Sequence, residues 1–114
     1  MLQRCWCASG LIKITQENHQ RLIGPNCPGV YDNTSKVDTF FIPRELVERP
    51  ALGNVSIASQ SVSFAGHIID LASFERLGIG RVITFGNKAD INERDALYYF
   101  ASDKSTKVIG LYLE

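Results

Sequence analysis

The chain has 114 residues, 12 basic against 12 acidic side chains and 45% apolar content. That length suits one small globular domain, and the balanced charge excludes the electrostatic footprint of a nucleic-acid or anionic-membrane binder. No apolar run approaches the roughly 18 residues of a membrane span, and residues 1–7 lack the apolar core of a signal peptide, so a cytoplasmic chain is expected.

In chain order, residues 11–17 (LIKITQE) read as either a strand or the start of a helix, and residues 21–24 (RLIG) as a short strand. The run 25–29 (PNCPG) is a turn, because two prolines and a glycine continue neither a ladder nor a helix. Residues 31–36 read as polar loop, 37–42 as a short strand, and 44–49, between Pro43 and Pro50, as one helical turn with Pro43 at its start. The three cysteines (Cys5, Cys7, Cys27) and two histidines (His19, His67) do not make the roughly four-ligand spacing of a zinc site. No metal is expected, and the thiols read as reduced.

From residue 54 onward the pattern becomes regular. Residues 54–61 (NVSIASQS) form an apolar strand that ends in a polar turn. A helix is expected over 63–77, with Phe64, Ala65, Ile68, Ile69, Leu71 and Ala72 on its apolar face and His67, Asp70 and Glu75 opposite. Gly78 and Gly80 supply its stop. A strand follows at 81–86, then a second helix with Asp90 as N-cap, Glu93 three residues on, and Ala96, Leu97, Phe100 and Ala101 as its stripe. A third strand runs over 106–114. This β-α-β-α-β order with short loops predicts a parallel α/β sheet, flavodoxin-like and three-layered, with about three core strands. If the first of these strands lies between the other two, the loop at Ser61 and the strand end at Glu114 border one crevice.

Four groups are candidates for chemistry. Ser59, Gln60 and Ser61 stand where a strand meets a helix N-terminus, whose free N–H groups and dipole favour phosphate or carboxylate; serine is equally a common N-cap. The Gly-Lys-Ser/Thr ending of a P-loop is absent. Glu114 closes an apolar strand at the edge where ligands bind, as a carboxylate able to orient a histidine or as a solvated strand end. Asn87 and Lys88 follow the second strand at the same edge. His67 with Asp70 at i+3 reads as a solvated surface pair.

The segments RLIGPNCPG (21–29), GNVSIASQS (53–61), GNKAD (86–90) and KVIGLYLE (107–114) together resemble the NDP-forming acyl-CoA synthetases, including succinyl-CoA synthetase α subunits and ADP-forming acetate–CoA ligases. The resemblance runs in order from Arg21 to Glu114 and does not cover residues 1–20. It implies that residues 1–29 include the last strand and exit turn of a CoA-binding domain, that 30–53 are a linker, and that 54–114 are the first half of a flavodoxin-like ligase domain. By the same resemblance Asn26 and Cys27 lie near the thioester end of CoA, Ser59, Gln60 and Ser61 line the helix start that receives phosphate, and Glu114 holds a phosphorylated histidine.

The implied reaction starts with a nucleoside triphosphate, ATP or GTP with Mg, phosphorylating that histidine. The phosphoryl group passes to a carboxylic acid, and CoA displaces phosphate to give the thioester. Two departures stand out: the family's histidine follows the glutamate matched by Glu114, a place that neither His19 nor His67 occupies, and Val62 replaces the glycine that usually follows the Ser-Gln-Ser triplet. The resemblance implies missing ligase domains or an ATP-grasp β subunit as partners and an isolated chain without activity; the apolar last strand, left without a neighbour in a three-strand sheet, predicts self-association of that chain. A non-catalytic anion-binding or subunit-interaction module is the alternative, and an unrelated flavodoxin-like regulator a third.

Overall fold

A computed structural model describes residues 2–114, with side chains from residue 8 onward; Cys5 and Cys7 therefore lie outside the described side chains. The first element is a helix, α1 (Leu2–Glu17), which resolves residues 11–17 as helical. It stops in a Schellman arrangement: His19 takes a φ of 55°, its N–H reaches the Gln16 carbonyl at 3.1 Å, and the Gln20 N–H reaches that of Thr15 at 2.8 Å. Among the described residues no helix is long and apolar enough to cross a membrane.

Residues 21–24, expected as a strand, pair in no ladder. Instead a short hairpin follows, β1 (Val30–Asp32) and β2 (Val37–Asp38), where a polar loop and a longer strand were expected. Asp32 builds its turn by accepting from the Thr34 and Ser35 N–H groups at 2.8 and 3.2 Å. β2 stops after two residues because Phe40 turns into the core and Pro43 ends any continuation. The regular part then runs β3 (Val55–Ser59), α2 (Val62–Phe74), β4 (Ile79–Thr84), α3 (Glu93–Ser102) and β5 (Val108–Tyr112).

The sheet has five strands in the order β2-β1-β4-β3-β5. β3 is parallel to both β4 and β5, so the expected three-strand parallel core stands with its first strand in the middle. β1 extends it antiparallel to β4. On one face α2 sets Ala65, Ile69 and Ala72 against Ile57, Ile79 and Val82, and Tyr31 and Phe40 close the same cluster. On the other face α3 sets Ala96 and Phe100 against Ala58 and Phe85.

Three details differ from the sequence reading. α2 ends at Phe74 with Glu75 as its C-cap, and its stop is Arg76, not Gly78 or Gly80: Arg76 takes a φ of 57°, and the Leu77 N–H bonds the Ala72 carbonyl at 2.8 Å. Gly78 serves close approach instead, since a Cβ there would lie 2.7 Å from the Gly53 Cα, and Gly80 is inside β4. Leu71, expected on the apolar face of α2, is exposed, together with Phe74. α3 is capped by Asn92, not Asp90, in a full capping box: Asn92 Oδ1 accepts from the Arg94 and Asp95 N–H groups, and Asp95 Oδ2 accepts from the Asn92 N–H at 3.2 Å.

A polar network ties β4 to both neighbours on the α3 side. The Arg81 side chain, buried within β4, donates Nε to Asp32 at 3.2 Å and Nη1 to Asp103 and to Ser105 Oγ. Thr106 Oγ1 donates to Asp103 at 2.7 Å and sits 2.8 Å from the hydroxyl of Ser56 on β3. The hydroxyls of Ser105 and Thr106, with Arg81 beside them, hold the Asp103 carboxyl well below the usual carboxylate range. Burial pushes Asp32 up, but the Thr34 and Ser35 N–H groups and Arg81 outweigh it and leave its pKa lowered.

Candidate functional site

The register fixes where the candidates meet. Ser59 pairs with Thr84 on one side and Tyr112 on the other, so the three parallel strands end level with one another. The loops that leave them carry Gln60 and Ser61, Asn87 and Lys88, and Glu114, all at the C-terminal edge of the parallel core. β3 also remains bonded to β4 one residue beyond the pair, with the Phe85 N–H reaching the Ser59 carbonyl at 3.0 Å.

The strand-to-helix turn is built by its serines. Ser59 is fully buried; its Oγ donates to the Ser61 carbonyl at 2.8 Å and accepts from the Ser61 N–H at 3.1 Å. That hydroxyl shapes the turn. Ser61 is the N-cap of α2, with extended backbone and its Oγ accepting from the Phe64 N–H at 3.4 Å. Val62 is the first helical residue and takes ordinary right-handed backbone, so this turn requires no glycine at that position. The N–H groups of Val62 and Ser63 have no intrahelical acceptor and point out of the helix start with the positive end of its dipole.

The last strand closes on this turn. The Gln60 N–H donates to the Tyr112 carbonyl at 3.0 Å, and Gln60 Oε1 accepts from the Glu114 N–H at 3.2 Å. The ring of Tyr112 stacks on Phe64, centroids 4.3 Å apart and planes 21° from parallel. Glu114 follows two residues on, and its carboxylate holds the Tyr112 pKa above its ordinary value. Phe64 was read only as part of the apolar face of α2, and neither it nor Tyr112 was read as part of the site. Strand alternation was the available signal, because it puts Tyr112 and Glu114 on one side of the sheet.

The turn at 24–29 docks onto the same edge. The Asn87, Ala89 and Ile91 N–H groups donate to the carbonyls of Pro25, Gly24 and Leu22 at 2.8, 2.9 and 3.1 Å, and Asn26 Nδ2 lies 3.4 Å from Asn87 Oδ1. Asp90, freed from capping, accepts from the Leu22 N–H at 2.8 Å and pairs with Arg21 at 2.9 Å. The Arg21 side chain and the Leu22 N–H lower the Asp90 pKa. Asn26 is therefore brought beside Asn87, exposed at the turn, while Cys27 is half-buried with its Sγ 3.8 Å from the Ile23 carbonyl. Lys88 is held back from solvent by Glu93, Nζ to Oε2 3.2 Å. His67 is exposed on α2, and no group of three acidic, histidine or cysteine side chains among the described residues is placed to hold a metal.

Gly86 joins these two loops. It takes a φ of 56°, and a Cβ there would lie 2.2 Å from the Asn26 carbonyl oxygen and 2.4 Å from that of Pro25. Gly86→Ala is expected to destabilise the chain by about 2 kcal/mol or more, combining the cost of left-handed backbone with overpacking. Urea denaturation measures the loss, and the amides of Asn87 and Ala89 should lose protection from exchange before the rest of the sheet does. An unchanged midpoint would show that the two loops are not in contact.

Comparison with known proteins places this geometry. Residues 52–114 match the family described as the succinyl-CoA ligase like flavodoxin domain. An ADP-forming acetate–CoA ligase of Methanocaldococcus jannaschii is 38% identical over 102 residues, 90% of this chain and 14% of the relative. The α subunit of ADP-forming acetate–CoA ligase I of Pyrococcus furiosus is 30% identical over 104 residues, 91% of this chain and 22% of the relative. Among solved structures, a dinucleotide-forming acetyl-coenzyme A synthetase 1 of Ca. Korarchaeum cryptofilum, in complex with phosphate and ADP, superposes with a TM-score of 0.83 at 30% identity, over 94% of this chain and 22% of that one. The chain thus spans less than a quarter of the length of these relatives. With residues 52–114 carrying the flavodoxin-like domain and the remaining match reaching back through the docked turn, the chain belongs to the NDP-forming acyl-CoA synthetases.

Proposed function

We propose that this chain serves acid–CoA ligation by seating a phosphoryl group at the N-terminus of α2 while that group passes between a histidine and a carboxylic acid. The observation that carries the reading is the closure of β5 on the helix start, which puts Glu114 and the Ser61–Val62–Ser63 turn on one hydrogen-bonded edge. The two N–H groups at the start of α2, the hydroxyls of Ser61 and Ser63 and the helix dipole offset phosphoryl charge. Glu114 suits the other half of the exchange, a carboxylate that orients an imidazole. Ser59 and Gln60 shape the seat, and Asn26, Cys27, Asn87 and Lys88 form the adjoining wall, with Asn26 and Cys27 toward the thioester end of CoA.

The full reaction uses ATP or GTP with Mg, a carboxylic acid and CoA. Its other parts are further ligase domains or an ATP-grasp β subunit, in keeping with relatives that are themselves α subunits. In this reading residues 1–29 include the exit of a CoA-binding domain, 30–53 connect and lend the β1–β2 hairpin to the sheet, 54–114 form part of the ligase domain, and the protein works in the cytoplasm. The isolated chain self-associates through β5.

Phosphate titration followed by amide NMR tests the seat. Saturable shifts are expected at Val62 and Ser63, larger than at any amide of α3. Flat amides at the start of α2 would overturn the reading. The chain alone is also expected to form no acyl-CoA and no acid-labile phosphoprotein with ATP or GTP; phosphate on His67 would contradict that expectation. Thioester formation on adding an ATP-grasp partner favours the ligase, whereas phosphate binding without it favours a non-catalytic anion-binding module.

A further inference from the structure

We infer that Gln60 and Tyr112 are positioning residues for Glu114, forming a clip that ties the strand end carrying it to the start of α2. This rests on the reading of Glu114 as the carboxylate that orients the phosphorylated histidine. Gln60 makes two bonds to the strand that carries Glu114. Its N–H extends the β3–β5 ladder to the Tyr112 carbonyl at 3.0 Å, and its side-chain oxygen takes the Glu114 N–H at 3.2 Å. The two contacts flank Leu113, so the strand end cannot swing about one bond alone.

Tyr112 supplies the second half of the clip. Its ring lies 4.3 Å from that of Phe64, the third helical residue of α2, whose own N–H is bonded to the Ser61 cap. The ring is therefore referenced to the helix start, and Glu114 follows two residues further on, on the same side of the strand, where its carboxylate raises the Tyr112 pKa. A carboxylate on a free strand end would move with it; one whose strand is held on both sides of Leu113 keeps its place, which is what proton or imidazole positioning requires. The clip also makes the phosphate seat and the carboxylate one mechanical unit, since both are anchored in the first turn of α2.

NMR of the whole chain tests this. Gln60→Ala should raise the exchange rate of the Glu114 amide about fivefold, the size expected for one lost hydrogen bond of ordinary strength, whereas Gln60→Glu keeps an acceptor oxygen at the same reach and should restore protection. Glu114→Gln should lower the Tyr112 titration midpoint, read from its phenolic carbon, toward the ordinary tyrosine value. Phe64→Leu should remove the ring-current shifts on the Tyr112 ring protons. Equal Glu114 exchange in wild type, Gln60→Ala and Gln60→Glu, or a Tyr112 midpoint indifferent to Glu114→Gln, would overturn the clip. The phosphate titration reads Val62 and Ser63, not Glu114, so a failed phosphate seat and a failed clip give different results.

Discussion

Replacing Arg81 with methionine is expected to lower the unfolding free energy by about 3 kcal/mol, the loss that follows when one partner of a buried charge network is removed and the others stay. Arg81 is 9% exposed, and its fork serves two acids from different elements, Asp32 on β1 and Asp103 after α3. Methionine fills the volume but leaves both carboxylates without their counter-charge. Arg81→Lys should fall between the two, because one ammonium cannot occupy both ends of the fork. The network also sets an acid limit. Asp32 and Asp103 have pKa values lowered in the folded chain, so their contribution is fully present above the ordinary carboxylate pKa of about 3.9. It is lost as pH falls through the folded values. Urea midpoints should therefore be flat from neutral pH down to about pH 5 and then drop, and the drop should be smaller in Arg81→Met. A midpoint that moves by less than about 1 kcal/mol on Arg81→Met would place this network at the surface.

What was legible in the sequence followed from locally encoded signals. β3, β4 and β5 are apolar runs with turn residues between them, and the Ser61 cap stands where the strand ends, so the parallel core and its crevice edge could be read directly. The hairpin could not. Val30–Asp32 is three residues long, and it is a strand only because β4 offers it an edge some fifty residues later in the chain. The cap of α3 was ambiguous in the same way: Asp90 with Glu93 and Asn92 with Asp95 carry the same three-residue spacing, and Arg21 and Leu22 decide between them by engaging Asp90. At the site, serines at a helix start suggest ligands whichever way their hydroxyls turn. Burial turns that of Ser59 inward. Gln60 was read as part of the anion seat, but its contacts to Tyr112 and Glu114 appear only once β5 is laid beside β3.

The second large effect is expected in solution mass. At high concentration the chain should scatter light as a dimer, and Leu111→Lys should return it to a monomer. Among the described residues β5 has β3 on one side and no strand on the other, leaving a row of unpaired backbone groups. Its side chains remain half open, with Val108 54% and Leu111 43% exposed. A two-fold axis through Gly110 would pair β5 antiparallel with its copy, setting Ile109 against Leu111 and Val108 against Tyr112 twice over. Each such pair contributes about 0.2–1 kcal/mol, and completing the burial of a half-exposed aliphatic adds about 1 kcal/mol. The same pairing carries Lys107 of one copy to the Glu114 end of the other, so the charges that bracket the strand attract across the junction. A lysine at 111 would sit against its neighbour's apolar row with no acid opposite. Monomeric scattering for the unaltered chain, with β5 amides exchanging freely, would refute the pairing.

The two rims of the sheet differ in what they offer a neighbour. β2 is two residues long, and Asp38 within it is clasped by Arg44 and Arg49 at 2.9 and 3.0 Å, so that rim presents little ladder and a satisfied charge. β5 presents five residues. In the language of polymerisation, pairing through β5 would make the chain monofunctional: one reactive end, consumed in the first coupling. A pair joined through β5 shows only its two short hairpins to the outside, and such a unit terminates its own growth where a chain with two long rims would propagate into a fibre.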